Sequence, residues 1–247
     1  MKRVLILGLA VALFACSGYA TSFVNGGFED GSYNGWTQGA GRWTGGWPIN
    51  PTNYLPGGSR YNIAYWQGAI IDNLVNVTDP ITGNPTVIQG RYSARINNSN
   101  NDYSVGVISQ TVANYTDPFI YFGWNAVLEA SHGLTDSYNF TLKLTNDTQN
   151  LTIYSVSYSS ASAPGIFTRY GNWYGSGWQV QSLNVSAYAG DTFTLTLLGS
   201  DCHYGGHAGY VYLDGFGAAP PPIPEPATYG YMALGLGGLL VYRLKRR

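Results

Sequence analysis

Glu29 and Glu129 are the only glutamates between Thr21 and Ala219. Two carboxylates facing each other across a cleft are what glycoside hydrolysis needs. The aspartates are scattered and form no suggestive local pair, and there is no nucleophile elbow and no phosphate loop. Catalytic residues can lie far apart in a chain, so a secreted glycan hydrolase stays as an alternative to the preferred reading, which is non-enzymatic. Asp201-Cys202-His203-Tyr204-Gly205-Gly206-His207 gathers a thiol and two imidazoles within seven residues. Those are zinc's preferred ligands, but the spacing is not that of a finger and no fourth ligand is evident, which favours an architectural loop. Trp43, Trp47 and Trp66 are surrounded by Gly, Pro, Asn and Gln rather than by alternating strand residues. Exposed rings of this kind can stack on the C–H faces of sugars; the competing reading places them in the core, where rings dominate burial.

Those side chains need strands to position them. Charged residues make up 10% of the chain and aromatics 15%, against about 25% charged in an ordinary soluble domain. Bulky rings suit a pleated surface, and glycine supplies the positive φ of tight turns. Tyr138 to Thr145 alternates strictly between apolar and polar residues, and Thr192 to Leu197 does the same. Leu151 to Tyr158 and Tyr210 to Phe216 are strand-like and rich in aromatics. Asn146-Asp147-Thr148-Gln149-Asn150 reads as the turn of a hairpin between two of these strands. No body segment carries a 3.6-residue period, and no internal repeat marks a solenoid. Strands with one wet face predict an all-β, antiparallel sandwich. Trp36 to Trp66, crowded with Gly, Pro, Asn and aromatics, reads as a long functional or mobile loop.

The formal charge of −1 hides an asymmetry. Between Thr21 and Ala219 there are 12 acidic against 6 basic residues, a net of −6. Nucleic acid is excluded as a partner, since that role needs clustered positive charge. Of the two cysteines, Cys16 lies in the N-terminal segment and Cys202 in the body, so no internal disulfide is expected once that segment is removed.

Residues 1–20 read as a signal peptide. Lys2-Arg3 forms the basic start, Val4 to Ala15 the apolar run, and Gly18-Tyr19-Ala20 the cleavage site. Leu13-Phe14-Ala15-Cys16 resembles a degraded lipobox, which keeps a lipoprotein as the alternative, but bulky Phe14 stands where a small residue is usual and the ordinary signal is preferred. At the other end, residues 220–223 begin a stiff proline linker. Pro224-Glu225-Pro226-Ala227-Thr228 follows, then an apolar stretch over residues 229–242 and the basic Arg243-Leu244-Lys245-Arg246-Arg247. The stretch reads as one short transmembrane helix, with the basic end on the cytoplasmic side. This three-part tail, residues 224–247, resembles the PEP-CTERM sorting signal of Gram-negative bacteria, with Pro224, Glu225 and Pro226 as its motif. The resemblance implies an exosortase-type membrane peptidase as partner and a transient membrane form. It also implies a final location at the cell surface or in an extracellular matrix of exopolysaccharide.

The body, residues 21–219, opens on Asn25-Gly26-Gly27-Phe28-Glu29-Asp30-Gly31 with Gly35-Trp36 and closes on Gly205-Gly206-His207-Ala208-Gly209-Tyr210-Val211-Tyr212-Leu213-Asp214. These ends resemble those of jelly-roll domains of the galactose-binding-like and carbohydrate-binding-module type. The resemblance implies first and last strands lying together, and a structural calcium ion near them. Its ligands would be Glu29, backbone oxygens around Asn25 and Gly31, and Asp214; carboxylate and carbonyl oxygens suit that ion. It also implies glycan binding, for which the aromatic loop with Trp43, Trp47 and Trp66 is the candidate surface.

Overall fold

The computed structural model describes residues 22–45, 48–131, 133, 137–162, 165–217 and 219–220. The signal segment, the sorting motif, the 229–242 stretch and Trp47 lie outside the described residues. Among the described residues, helix is limited to short 3-10 turns, and no helix is long and apolar enough to cross a membrane.

Among the described residues twelve strands follow one another: β1 (Thr37–Arg42), β2 (Ala69–Asp72), β3 (Tyr92–Asn98), β4 (Ser104–Tyr115), β5 (Phe119–Glu129), β6 (Asn139–Asn146), β7 (Leu151–Ser159), β8 (Thr168–Tyr170), β9 (Trp173–Gly175), β10 (Gln179–Asn184), β11 (Asp191–Ser200) and β12 (Gly209–Gly217). They form two antiparallel sheets. One has five strands in the order β1-β4-β11-β6-β7. The other has seven, in the order β2-β3-β12-β5-β9-β8, with β10 also paired to β5.

The alternation read from the sequence decides which side chains face inward. Phe140, Leu142 and Leu144 of β6 lie beside Phe193, Leu195 and Leu197 of β11. Across the sandwich they meet Phe122, Trp124, Ala126 and Leu128 of β5, and Val211 and Leu213 of β12. The expected hairpin is present: β6 pairs with β7, and Asn146 Oδ1 accepts the Gln149 N–H at 2.9 Å to close its turn.

The long segment after β1 differs from expectation. It folds over the outer face of the five-stranded sheet as a second small core, where Trp43, Ile49 and Tyr54 cover Val105, Val107 and Leu198. The physical reason lies in β4. Val105-Gly106-Val107-Ile108 is apolar on both faces, so its outer face needs a cover. The Asn62 N–H also donates to Ala40 O at 2.7 Å, which closes the edge of β1.

The first and last parts of the body do lie together, but not as paired strands. Residues 24–32 form turns, and β1 and β12 belong to different sheets. The contact is instead the Phe216 N–H donating to Gly26 O at 3.0 Å. A side chain at Gly26 would run into the Phe216 carbonyl, so glycine is required by the approach of two backbones.

Candidate functional site

Glu29 and Asp214 converge beside that N-terminal turn. A Cβ placed on Gly27 would stand 3.5 Å from Glu29 Cγ and 3.7 Å from Asp214 Oδ1. Both carboxylates are gripped by the backbone that leads into β3. Glu29 accepts the N–H groups of Arg91, at 3.0 Å on Oε2, and Tyr92, at 3.1 Å on Oε1. Asp214 Oδ2 accepts those of Ile88 and Gln89, each at 3.0 Å, and its Oδ1 accepts that of Gly215 at 2.6 Å. Gly90, at φ +67, lets this loop pass so close that a side chain there would collide with the Glu29 carboxylate. Burial pushes the Asp214 carboxyl up to about 7, against the pull of its three N–H donors, and Glu29 adds to the rise. A cleft of about 350 Å³ opens beside the pair, lined by Gly27, Glu29, Gln89 and Phe216 among others.

Glu29 and Asp214, two of the four residues expected around calcium, come together through their side chains. Asn25 uses its amide on Asp30 Oδ1 and Ser32 O, at 2.7 and 2.9 Å. Its carbonyl accepts Phe28 N–H at 3.0 Å and Trp36 Nε1–H at 3.1 Å. Gly31, at φ +70, donates its N–H to Phe28 O. The Asn25 carbonyl is thus engaged inside the turn, and the Gly31 N–H helps to close it. Among the described residues no three His, Cys, Asp or Glu side chains converge. The Glu29–Asp214 pair nonetheless suits a hard cation. Two carboxylates approach each other, and the nearby Arg91 guanidinium is committed to Asp72 at 2.6 Å.

Glu129 sits at the end of β5. Its Oε2 accepts Ala208 N–H at 2.9 Å, and its Oε1 accepts Asn172 Nδ2–H at 3.4 Å. It latches β5 to the approach of β12. Asp201 is likewise inside a cluster: Asn97 Nδ2 donates to it at 2.8 Å, Ser104 N and Oγ each at 3.0 Å, and Asp102 N at 3.1 Å. Burial, with the Asp102 carboxyl adjacent, pushes Asp201 up to about 8. The next residue, Cys202, is buried and accepts the N–H groups of Gly206 and His207 at its sulfur, at 3.0 and 3.3 Å. Its own N–H donates to His207 O at 3.0 Å. The Asp-Cys…Gly-Gly-His segment is thus a turn closed on its own backbone.

The aromatic loop is not the exposed surface read from the sequence. Trp43 is 1% exposed, inside the second core, with its ring 5.3 Å from that of His203. Trp66 is half-buried against the main core, edge-on to Tyr33 at 5.3 Å. Gly and Asn neighbours mark turns in the backbone, and they say nothing about which face of a turn a ring takes.

Half-buried rings lie instead on the outer face of the seven-stranded sheet. Trp173 packs on Tyr210 at 6.3 Å and Trp178 on Tyr212 at 6.4 Å, at interplanar angles of 48° and 44°. The two tyrosines stand edge to face at 5.6 Å, and both hydroxyls donate to Asp79 Oδ2, at 2.6 and 2.8 Å. Asp79 Oδ1 also accepts the N–H groups of Ile81 and Thr82. Desolvation and the adjacent Asp79 hold both tyrosines far above the usual phenol range. Arg95 lies 5.6 Å from the Tyr210 ring centre. The buried amide of Asn125, opposite Tyr212 in the sheet, has no hydrogen-bond partner among the described residues. Sequence reasoning missed this group, although the i, i+2 spacing of Tyr210 and Tyr212 already puts them on one face.

Fold and register define the chain as a jelly-roll β-sandwich. No protein-family model matches it, and no curated protein does. Distant solved structures share its outline. The carbohydrate-binding module TmCBM61, solved with β-1,4-galactotriose, has 12% identity and a TM-score of 0.43, covering 79% of this chain and 96% of that one. CBM28, a module specific for non-crystalline cellulose, has 12% identity and a TM-score of 0.38, covering 78% and 92%. CBM27-1 of Caldicellulosiruptor saccharolyticus, solved with mannohexaose, has 10% identity and a TM-score of 0.33, covering 62% and 96%.

Proposed function

We propose that this is an exported, non-catalytic protein of the cell surface or extracellular matrix, sorted through its tail and associated with exopolysaccharide. One observation carries the non-catalytic part. Glu29, Glu129, Asp201 and Asp214 are each tied to backbone N–H groups and brace loops, and in the pair among them that converges beside a cleft, Glu29 and Asp214, all four carboxylate oxygens accept backbone N–H groups. The sorting part rests on the order of the tail: Pro224-Glu225-Pro226, an apolar stretch, a basic end. The test is expression in a host with and without an exosortase. Release of the body that depends on the peptidase, and is lost in Pro224→Ala/Pro226→Ala, is the expected outcome. Release that ignores both changes would overturn this part.

A second reading, that the body itself holds glycan, is favoured by the paired rings on the seven-stranded sheet. Trp173 and Trp178 each present a half-buried indole, and indole faces complement the apolar C–H faces of sugars. Calcium, in this reading, is structural. It would sit between Glu29 and Asp214, complete its shell with backbone carbonyls, and fasten the N-terminal turn to β12. Pull-down of the full chain on the host's own exopolysaccharide tests the glycan part directly; no retention at any salt concentration would remove it.

A further inference from the structure

The five-stranded sheet ends on β7, and the chemistry of that edge is unusual. Leu151-Thr152-Ile153-Tyr154-Ser155-Val156-Ser157-Tyr158-Ser159 is 9 residues long, with no charged residue and no proline. Exposed edges are ordinarily blunted by charge, proline, shortness or a cover, because their free N–H and C=O groups template pairing with another chain. The other edges of this protein follow that rule more closely. β1 is closed by Asn62. β2 has 4 residues and ends at Asp72, which is paired with Arg91. β8 has 3 residues and contains Arg169. β10 has 6 and is punctuated by Gln179, Gln181 and Asn184. β7 pairs with β6 on one side, and among the described residues no backbone hydrogen bond reaches its other side.

The side chains of β7 say what fits there. Tyr154, Val156 and Tyr158 face the core side and are only partly buried, so apolar surface continues to the rim of the sandwich. Ser155 and Ser157 face outward and are exposed, with Ser157 Oγ 3.2 Å from Thr141 Oγ1. An antiparallel copy of the same strand, centred on Val156, would set Val156 against Val156, Tyr154 against Tyr158, and Ser155 against Ser157. Like meets like on both faces, and aromatic, β-branched and hydroxyl pairs are the favourable cross-strand combinations. A shift of one residue would set Val156 against a serine on the wrong face. A body carrying −6 would also repel a second copy, except at an edge that is itself uncharged.

We infer that β7 is the interface through which two copies of this chain pair, antiparallel, with Val156 on the two-fold axis, joining two five-stranded sheets into one. The pairing is independent of glycan and of calcium.

The test uses the full chain in mild detergent, followed by sedimentation. A dimer is expected for the native sequence, and a monomer for Ser155→Lys/Ser157→Lys, which places like charges opposite one another in the proposed register. Both serines are exposed, so circular dichroism and melting of that variant should match the native protein. Separately, Val156→Cys should give a covalent dimer under mild oxidation. Both variants carry Cys16→Ser; Asn101→Cys, exposed and away from the edge, should not cross-link, and the remaining native thiol, Cys202, is buried. A native chain that sediments as a monomer, a double-lysine variant that still dimerises, or Val156→Cys cross-linking no faster than Asn101→Cys would each overturn the proposal.

Discussion

The Tyr210 hydroxyl donates to Asp79 Oδ2 at 2.6 Å, joining the last strand to the loop between β2 and β3 across 131 residues of sequence. Tyr212 adds a second bond to the same oxygen, so one buried carboxylate pins that loop over the outer face of the seven-stranded sheet. Removing the carboxylate leaves both buried hydroxyls and the Ile81 and Thr82 N–H groups without this acceptor, whereas removing one hydroxyl takes away a single donor. Asp79→Ala should therefore lose about 1–3 kcal/mol or more, and Tyr210→Phe about 1 kcal/mol. Urea unfolding of the two variants checks this. Equal losses would show that the carboxylate is not the hub.

Asp201 gives stability a pH dependence. Its carboxyl is raised from 3.8 to about 8 in the folded chain, by burial first and by the Asp102 side chain second. The folded state therefore keeps a proton that the unfolded chain releases near 3.8. This contribution is complete below that value and is lost as the pH climbs to about 8. Other groups facing it are Ser104, Asn97 and the Tyr138 ring, whose hydroxyl Asp201 helps to hold above its usual range. Melting temperature should fall between pH 5 and pH 8, and Asp201→Asn should reduce the slope to the part that Asp214, raised to about 7, contributes. An equally steep slope in the variant would assign it to other groups.

Calcium at Glu29 and Asp214 should raise the melting temperature at millimolar concentration, because a ligand bound only by the folded state stabilises it. Glu29→Gln should abolish the shift while leaving a folded protein. Superimposed melting curves with calcium and with chelator would remove the ion from this site.

Trp43 and Trp173 should separate by readout. Trp43 is sealed in the small core over β4, so Trp43→Ala should cost about 3–5 kcal/mol by leaving a cavity. Trp173→Ala and Trp178→Ala should leave the fold in place and weaken polysaccharide retention. Retention unchanged in both variants would move the glycan surface elsewhere.

Asn125 offers a further check on that face. Its amide is buried without a partner among the described residues. Replacing such a group with an apolar side chain of similar shape avoids a desolvation cost of about 1–3 kcal/mol. Asn125→Leu should therefore melt higher than the native protein, and a lower melting temperature would mean that the amide is satisfied by bound solvent.

The sequence by itself determined the strands of the second half, the hairpin around Asn146, and the sandwich. Alternation is a local property that β6 and β11 carry themselves, and the aromatic and β-branched content of β7 and β12 is local too. The meeting of Glu29 and Asp214 was suggested only by the resemblance of the two flanking motifs to the ends of jelly-roll domains, and no local pattern encodes it. Only the tertiary structure decided what covers what. Trp43 is buried because β4 is apolar on both faces, a fact about a strand 62 residues later at Val105. Tyr210, Tyr212 and Asp79 form a group because a loop folds back over a sheet, and no local spacing encodes that return. The open edge of β7 was legible as a strand but not as an edge, since being an edge depends on strand order, and strand order is settled by long-range pairing alone.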